Sequence, residues 1–166
     1  MSLQRLFLTF GGAGEAPKAS GTVGSFAGLI VGIVILHFLT METLFMLTLA
    51  ISIIGVFEIN KYEKAHQSHD DGWIVIDEVA GMWIALMMVY STLPHLSFEY
   101  KEFIAYLFAF ASFRYFDIFK PSTIGKIDRD VKGGLGVMGD DILAGFAGGM
   151  LSILGLLAIE KIITIF

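Results

Sequence analysis

Apolar residues in this chain come in long runs separated by short polar stretches. They do not alternate as in a half-buried strand, nor form the one-sided stripe of a surface helix. The runs cover residues 23–39, 44–57, 74–93, 103–111 and 142–159. A membrane span needs about 20 mainly apolar residues, within a range of roughly 17 to 25. The first, third and fifth runs meet that length. The second is short, and the fourth qualifies only if its helix continues to Phe119. The pattern predicts an all-α fold, a compact multi-helix membrane bundle of about five apolar helices. Residues 11–25 are punctuated throughout by glycine and proline and read as a loop. A short break at 40–43, a polar segment at 58–71, a connector at 94–102 and a polar loop ending at Asp140-Asp141 separate the runs.

Folding the runs back and forth puts the loop before run one, the 58–71 segment and the loop after run four on one side of the membrane. That side holds Arg5, Lys18, Lys61, Lys64, Arg114, Lys120, Lys126, Arg129 and Lys132, against Lys101 and Lys161 on the other. Such asymmetry over short loops predicts that the polar face is cytosolic, with the N-terminus cytosolic and the C-terminus opposite.

Composition agrees. The 166 residues are 55% hydrophobic and 16% charged, with a mean hydropathy of +0.75, where a soluble domain is about a quarter charged. The length fits one domain over 1–166. Cysteine is absent, which removes disulfides, thiolate nucleophiles and cysteine-ligated metals. Net charge is −5 and no basic arm points to nucleic acid. No obligatory protein partner is evident. The start, residues 1–7, lacks the long apolar core and cleavage site of a signal peptide.

Charge gathers where the helices meet the polar face. Arg114, Asp117 and Lys120 recur every three residues, each step about 60° short of a full turn, so a helix keeps them within about 120° of one another. The acidic set is Asp70, Asp71, Asp77, Glu78, Asp117, Asp140 and Asp141. One residue of each pair could cap a helix. Three adjacent pairs near a membrane repel and are costly to desolvate, which suggests a cation. Hard oxygen ligands without cysteine suit Mg²⁺. Lys18, Arg114, Lys120 and Arg129 suit an anionic, phosphorylated substrate. The glycine loop could offer backbone N–H groups at a helix start, yet matches neither a Walker A nor a dinucleotide fingerprint. Gly133-Gly134-Leu135-Gly136 reads as a flexible structural turn. His66 and His69 share a helical face but find no third nitrogen ligand, so they read as solvated.

Four stretches together, Gly-Thr-Val-Gly-Ser at 21–25, Ile-Val-Ile-Asp-Glu-Val-Ala-Gly at 74–81, Phe-Arg-Tyr-Phe-Asp-Ile-Phe-Lys-Pro at 113–121 and Gly-Leu-Gly-Val-Met-Gly-Asp-Asp-Ile-Leu-Ala-Gly at 134–145, resemble the phosphatidylglycerophosphatase A family. The resemblance spans essentially the whole chain. It implies a Mg²⁺-dependent phosphatase of the bacterial inner membrane acting on phosphatidylglycerophosphate among the membrane lipids, in phospholipid biosynthesis. It carries over Asp70, Asp77, Glu78, Arg114, Asp117, Lys120, Asp140 and Asp141. Asp77, Glu78, Asp117 and Asp141 are then the catalytic candidates. The metal candidates are those four with Asp70 and Asp140. Lys18, Thr22, Ser25, Arg114, Lys120 and Arg129 are candidates for the substrate. Ser20 stands where the family often has proline, and Ser122-Thr123 where it often has an aromatic-Pro pair.

Other lipid-phosphate chemistries lack their residues here. There is no Ser-Gly-His motif. Asp128-Arg129-Asp130 has Lys132 at the Thr/Val position of a haloacid-dehalogenase-type motif. Asp71-Gly72 has Ser68 three residues before Asp71, not the Asp of a CDP-alcohol phosphotransferase. A small membrane transporter, or a phospholipid-binding protein without hydrolase activity, is the alternative from another class, although a transporter would bury its charges at mid-membrane. Hydrolysis could run by attack of an activated water or through an aspartyl-phosphate on Asp77 or Asp117.

Overall fold

The computed structural model describes residues 1–68 and 71–165, with the Asp128 side chain outside the description. The helices are α1 (Leu3–Leu8), α2 (Ser20–Phe38), α3 (Met41–His66), α4 (Ile76–Thr92), α5 (Lys101–Phe119), α6 (Thr123–Asp130) and α7 (Gly134–Ile165), with short 3₁₀ turns at Ala13–Glu15 and Leu93–His95. No strand occurs among the described residues.

Local signals explain several boundaries. Thr40, in extended backbone, accepts from the Thr43 N–H at 3.3 Å and caps α3. The polar break at 40–43 is therefore a helix start. The helix runs straight on through the polar residues to His66 and stops at Gln67 in the left-handed region. The second run is thus not short but the apolar part of a 26-residue helix. Residues 11–25 are not all loop, because α2 begins at Ser20. The loop expected after α5 holds the short helix α6. Glycines 134 and 136 are not a turn. Gly133 alone takes positive φ, and α7 starts at the next residue, where Asn60 of α3 accepts the Gly134 N–H at 3.0 Å. Asp140 and Asp141 consequently lie in the second turn of α7, not at its mouth. Glycine-rich sequence there reflects crowding: a Cβ on Gly134 would strike the Val56 backbone, and one on Gly136 the Val131 carbonyl.

Contacts between glycines and their neighbours fix the helix directions. Gly81 of α4 meets the Asp141 carbonyl of α7, Gly145 meets the Gly81 backbone and Gly149 meets Met88, so α4 and α7 run parallel in close contact. Gly24, Gly28 and Gly32 of α2 pack on Val75, Val79 and the Trp83–Leu86 pair, so α2 is parallel to α4. The Trp83 indole also donates to the Gly28 carbonyl at 2.8 Å. Gly148 against the Phe113 backbone and Gly155 against Phe108 set α5 antiparallel to α7, and Gly55 against Met138 sets α3 antiparallel as well. Small residues that admit close backbone approach are the usual glue of helices in lipid, where burial alone offers little drive.

Helix α4 is the hub. Of its most apolar stretch 72% is buried, against 22% for α3, whose outer face carries exposed Phe45, Met46, Ile53 and Phe57. Four helical segments, Ser20–Phe38, Met41–His66, Ile76–His95 and Gly134–Ile165, are long and apolar enough to cross a membrane. Helix α5 matches them in length but carries Lys101, Glu102, Arg114 and Asp117, so five long helices give four strongly apolar ones. At the end away from the polar site, Glu160 of α7 accepts from the Ser97 N–H and hydroxyl, and Lys101 caps the Leu93 and Leu96 carbonyls. At the site end, the Leu8 carbonyl of α1 accepts the Val75 N–H at 2.9 Å and seats α1 on the start of α4.

Gly145→Ala should cost about 1–3 kcal/mol, because its methyl would strike a backbone carbonyl that cannot step aside. Gly139→Ala, with only Ile127 at 3.5 Å, should be neutral or stabilising by up to about 1 kcal/mol. Thermal unfolding in detergent compares the two; equal midpoints would remove the α4–α7 contact from its central place.

Candidate active site

Helices α2, α4 and α7 begin, and α5 ends, around one polar cavity of about 250 Å³. Asp77 and Glu78 come from the first turn of α4. Asp140 and Asp141 come from α7, Arg114 and Asp117 from the last turns of α5, and Lys120 from its left-handed cap. Three helix N-termini thus direct the positive ends of their dipoles toward one group of carboxylates, which eases the gathering of negative charge.

The five carboxylates divide by partner. Asp77, Glu78 and Asp141 each offer an oxygen within 4.8 Å of the others. Asp117 is paired with Arg114, three residues away on the same helix face. Asp140, 3% exposed, accepts from the Lys120 ammonium at 2.6 Å. Arg114 Nη1 also donates to the Ser25 hydroxyl at 3.2 Å, and Ser25 in turn donates to the Gly21 carbonyl at 2.6 Å. Among the described residues, Arg114 Nε and Glu78 Oε2 are buried and find no hydrogen-bond partner.

That trio fits a small divalent cation. Oxygens at about 2.0–2.1 Å from an octahedral Mg²⁺ lie roughly 3.0–4.2 Å from one another. A buried carboxylate oxygen of Glu78 without a donor is the kind of group that a cation satisfies.

The remaining candidate residues fall in different places. Ser25 is buried one turn below the cavity, as the acceptor for Arg114. Thr22 is half-buried in the first turn of α2, Lys18 is exposed ahead of α2, and Arg129 is exposed on α6; none of the three borders the cavity. Asp70 and His69 lie outside the described residues. Asp71 is half-buried, and its carbonyl accepts the Ile74 N–H at 2.8 Å. His66 is exposed and stacks on Tyr62 at 4.1 Å. Nearby, Arg5 forks onto Glu15 and lies over the Trp73 ring. That hydrogen bonding holds the exposed Glu15 carboxyl below its usual range.

Two site residues were not legible as such. Gly21 makes room: a Cβ there would collide with Glu78 Oε1 and come within 3.3 Å of Arg114 Nη1. Ser20 borders the cavity, its hydroxyl donating to the Gly72 carbonyl. The available signal was the Gly-Thr-Val-Gly-Ser run itself, whose glycines act as spacers for other helices' side chains.

Comparison with known proteins places these features in a lineage. The phosphatidylglycerophosphatase A family profile matches residues 6–156. The chain is 37% identical over 133 residues to a Haemophilus influenzae protein named "Phosphatidylglycerophosphatase A", covering 80% of this chain and 76% of that protein. An Escherichia coli K12 protein of the same name is 35% identical over 145 residues, covering 87% and 78%. A Bacteroides thetaiotaomicron protein named "Putative phosphatidylinositol-3-phosphatase" is 38% identical over 138 residues, covering 81% of each chain. No solved structure matches.

Crowded carboxylates should destabilise the metal-free protein. Two like charges 4 Å apart repel by about 4 kcal/mol at an effective dielectric of 20. At alkaline pH in chelator, Glu78→Gln should therefore stabilise the fold by about 1 kcal/mol or more and raise the thermal midpoint, and should respond less than the parent to added Mg²⁺. A lowered midpoint in chelator would mean that Glu78 is held by partners and not by a cation.

Proposed function

This chain belongs to the phosphatidylglycerophosphatase A family and is a lipid phosphatase, and we propose that it hydrolyses phosphatidylglycerophosphate to phosphatidylglycerol and inorganic phosphate in a Mg²⁺-dependent reaction. The observation that carries the reading is the division of charge in one cavity. Asp77, Glu78 and Asp141 bring oxygens within 4.8 Å of one another, while Asp117 and Asp140 hold Arg114 and Lys120 in the same cavity.

In this reading Asp77, Glu78 and Asp141 hold the cation. Bound there, Mg²⁺ supplies neutralising charge at the phosphate oxygens and a water of lowered pKa. Arg114, anchored by Asp117 and Ser25, keeps its Nε for a phosphate oxygen. Lys120, steadied by Asp140, contributes a point charge. Asp117 borders the trio yet is tied to Arg114, and we assign it the proton of the attacking water. The water oxygen bonds to phosphorus, the bond from phosphorus to the glycerol oxygen breaks, and that oxygen takes the proton that Asp117 removed from the water. Positioning and charge do most of the work in such phosphoryl transfers.

Lipid phosphatase assays in detergent should show activity that chelator abolishes and Mg²⁺ restores. Asp77→Asn and Asp141→Asn should be folded and inactive. Arg114→Lys keeps the charge but loses the planar fork, and should lower kcat/KM by about 2–4 kcal/mol, as for removal of a transition-state donor. Near-normal turnover with a lowered melting temperature would assign Arg114 to structure. Phosphatidylinositol 3-phosphate belongs in the same assay because of the Bacteroides relative. A higher kcat/KM on that lipid would transfer the substrate assignment to it.

We also propose that the chain resides in the bacterial inner membrane with the site facing the cytosol, on the strength of the lysine and arginine asymmetry. The chain has no cysteine, so a single cysteine at exposed Thr123 is a clean reporter. An impermeant thiol reagent should label it only in inverted vesicles. Labelling of intact cells would reverse the orientation.

A further inference from the structure

The reacting phosphate must reach the carboxylates while the acyl chains of its lipid stay in the bilayer. A cavity walled on all sides by packed helices could not allow that. The α2 and α5 sides of this cavity are bordered by Ser20 and Gly21 on one helix and Arg114, Asp117 and Lys120 on the other. Each of these two helices is fastened elsewhere. Helix α2 is seated on α4 through its glycines and the Trp83–Gly28 hydrogen bond, and α5 is seated on α7 through Gly148 and Gly155. Between α2 and α5 themselves, the described hydrogen bond is Arg114 to Ser25. One residue on from Ser25, Phe26 meets Phe110 edge-to-face at 6.1 Å. Phe26 remains 55% exposed, so this seam is open along its side.

We propose that the seam between α2 and α5 is the track along which the lipid substrate enters, with an acyl chain lying over Phe26 and Phe110. The inference rests on the lipid-phosphatase reading and deepens it. The seam starts at the cavity: Gly21 borders the carboxylates, and Phe26 lies five residues further along α2, about 7.5 Å deeper at 1.5 Å per residue. That interval separates a headgroup from the first methylenes of its chains. From Phe26 to Ile33 the helix descends about 10 Å more, within one leaflet of about 15 Å of hydrocarbon. Below Ile33 the track ends in polar groups, where His37, Glu102 and Tyr106 surround a second cavity of about 240 Å³.

A larger apolar groove, about 520 Å³ between α3, α4 and α7, is lined by Phe45, Met87, Met88 and Phe146 among others. It shares no lining residue with the polar cavity. Its Phe45 lies on the exposed face of α3, away from Phe26 and Phe110.

Two measurements test the track. The first compares kcat/KM for a dioleoyl and a dihexanoyl phospholipid monoester. Phe26→Ala with Phe110→Ala should lower the long-to-short ratio about tenfold, whereas Phe45→Ala in the other groove should leave that ratio alone. An unchanged ratio in the double variant, or an equal fall in Phe45→Ala, overturns the proposal. The second uses a substrate lipid with a photoreactive group on its acyl chain. Label on peptides of α2 and α5, competed away by unlabelled substrate, supports the track. Competed label on α3, or label that substrate does not displace, overturns it. Failure of the parent protein to hydrolyse any lipid phosphate would instead sink the underlying reading, so the two failures are distinguishable.

Discussion

The close contact of α4 with α7 is the constraint on which the site depends. Gly81, Gly145 and Gly149 remove the side chains that would hold the two backbones apart. The helices run parallel, and the first turn of α4 lies beside the second turn of α7. Only then do Asp77 and Glu78, from one chain segment, stand against Asp141 from another more than sixty residues away. The same contact makes α4 the buried hub, and α2 and α5 take their places from α4 and α7. In lipid, packing contact of this kind replaces the hydrophobic drive that assembles soluble cores. Lost packing at one glycine would therefore disturb chemistry and fold together.

Gathering five carboxylates at the end of an apolar bundle is unfavourable by itself, and the structure offsets it in three ways. Two of the five are matched by Arg114 and Lys120. Three helix N-termini direct their dipoles at the group. The other three, Asp77, Glu78 and Asp141, bring oxygens within 4.8 Å of one another, a spacing that a small divalent cation would fit. This is a local departure from good folding practice, of the sort that proteins keep where function requires it.

How much of this could be read from the sequence depends on the physical range of each signal. The five runs gave the number of long helices, since hydrophobicity is a property of consecutive residues. The gathering of Asp77, Glu78, Arg114, Asp117, Lys120, Asp140 and Asp141 at one end followed from alternating helix directions. Boundaries were less legible. Thr40 looked like part of a loop because a cap residue and a loop residue are the same chemical type. Glycines 133–136 read as a turn because glycine serves turns and close packing equally, and only the presence of Val56 and Val131 beside them decides which. The sorting of carboxylates into a trio and two ion pairs was not legible at all. It depends on distances between helices, which no spacing along the chain records. Gly21 was hidden for the same reason, since its meaning lies in the Glu78 side chain it admits.

The length of α7 has a consequence for the whole assembly. Its 32 residues extend about 48 Å, against a hydrocarbon layer of about 30 Å. Such a helix must either lean or protrude, and its lean is set by its packing against neighbouring helices. Because α7 carries Asp140 and Asp141 in its second turn and is locked to α4 just beyond them, any change in lean carries both walls of the cavity together. The carboxylates keep their mutual geometry. The lock between α4 and α7 therefore makes the site one rigid unit with the bundle that carries it.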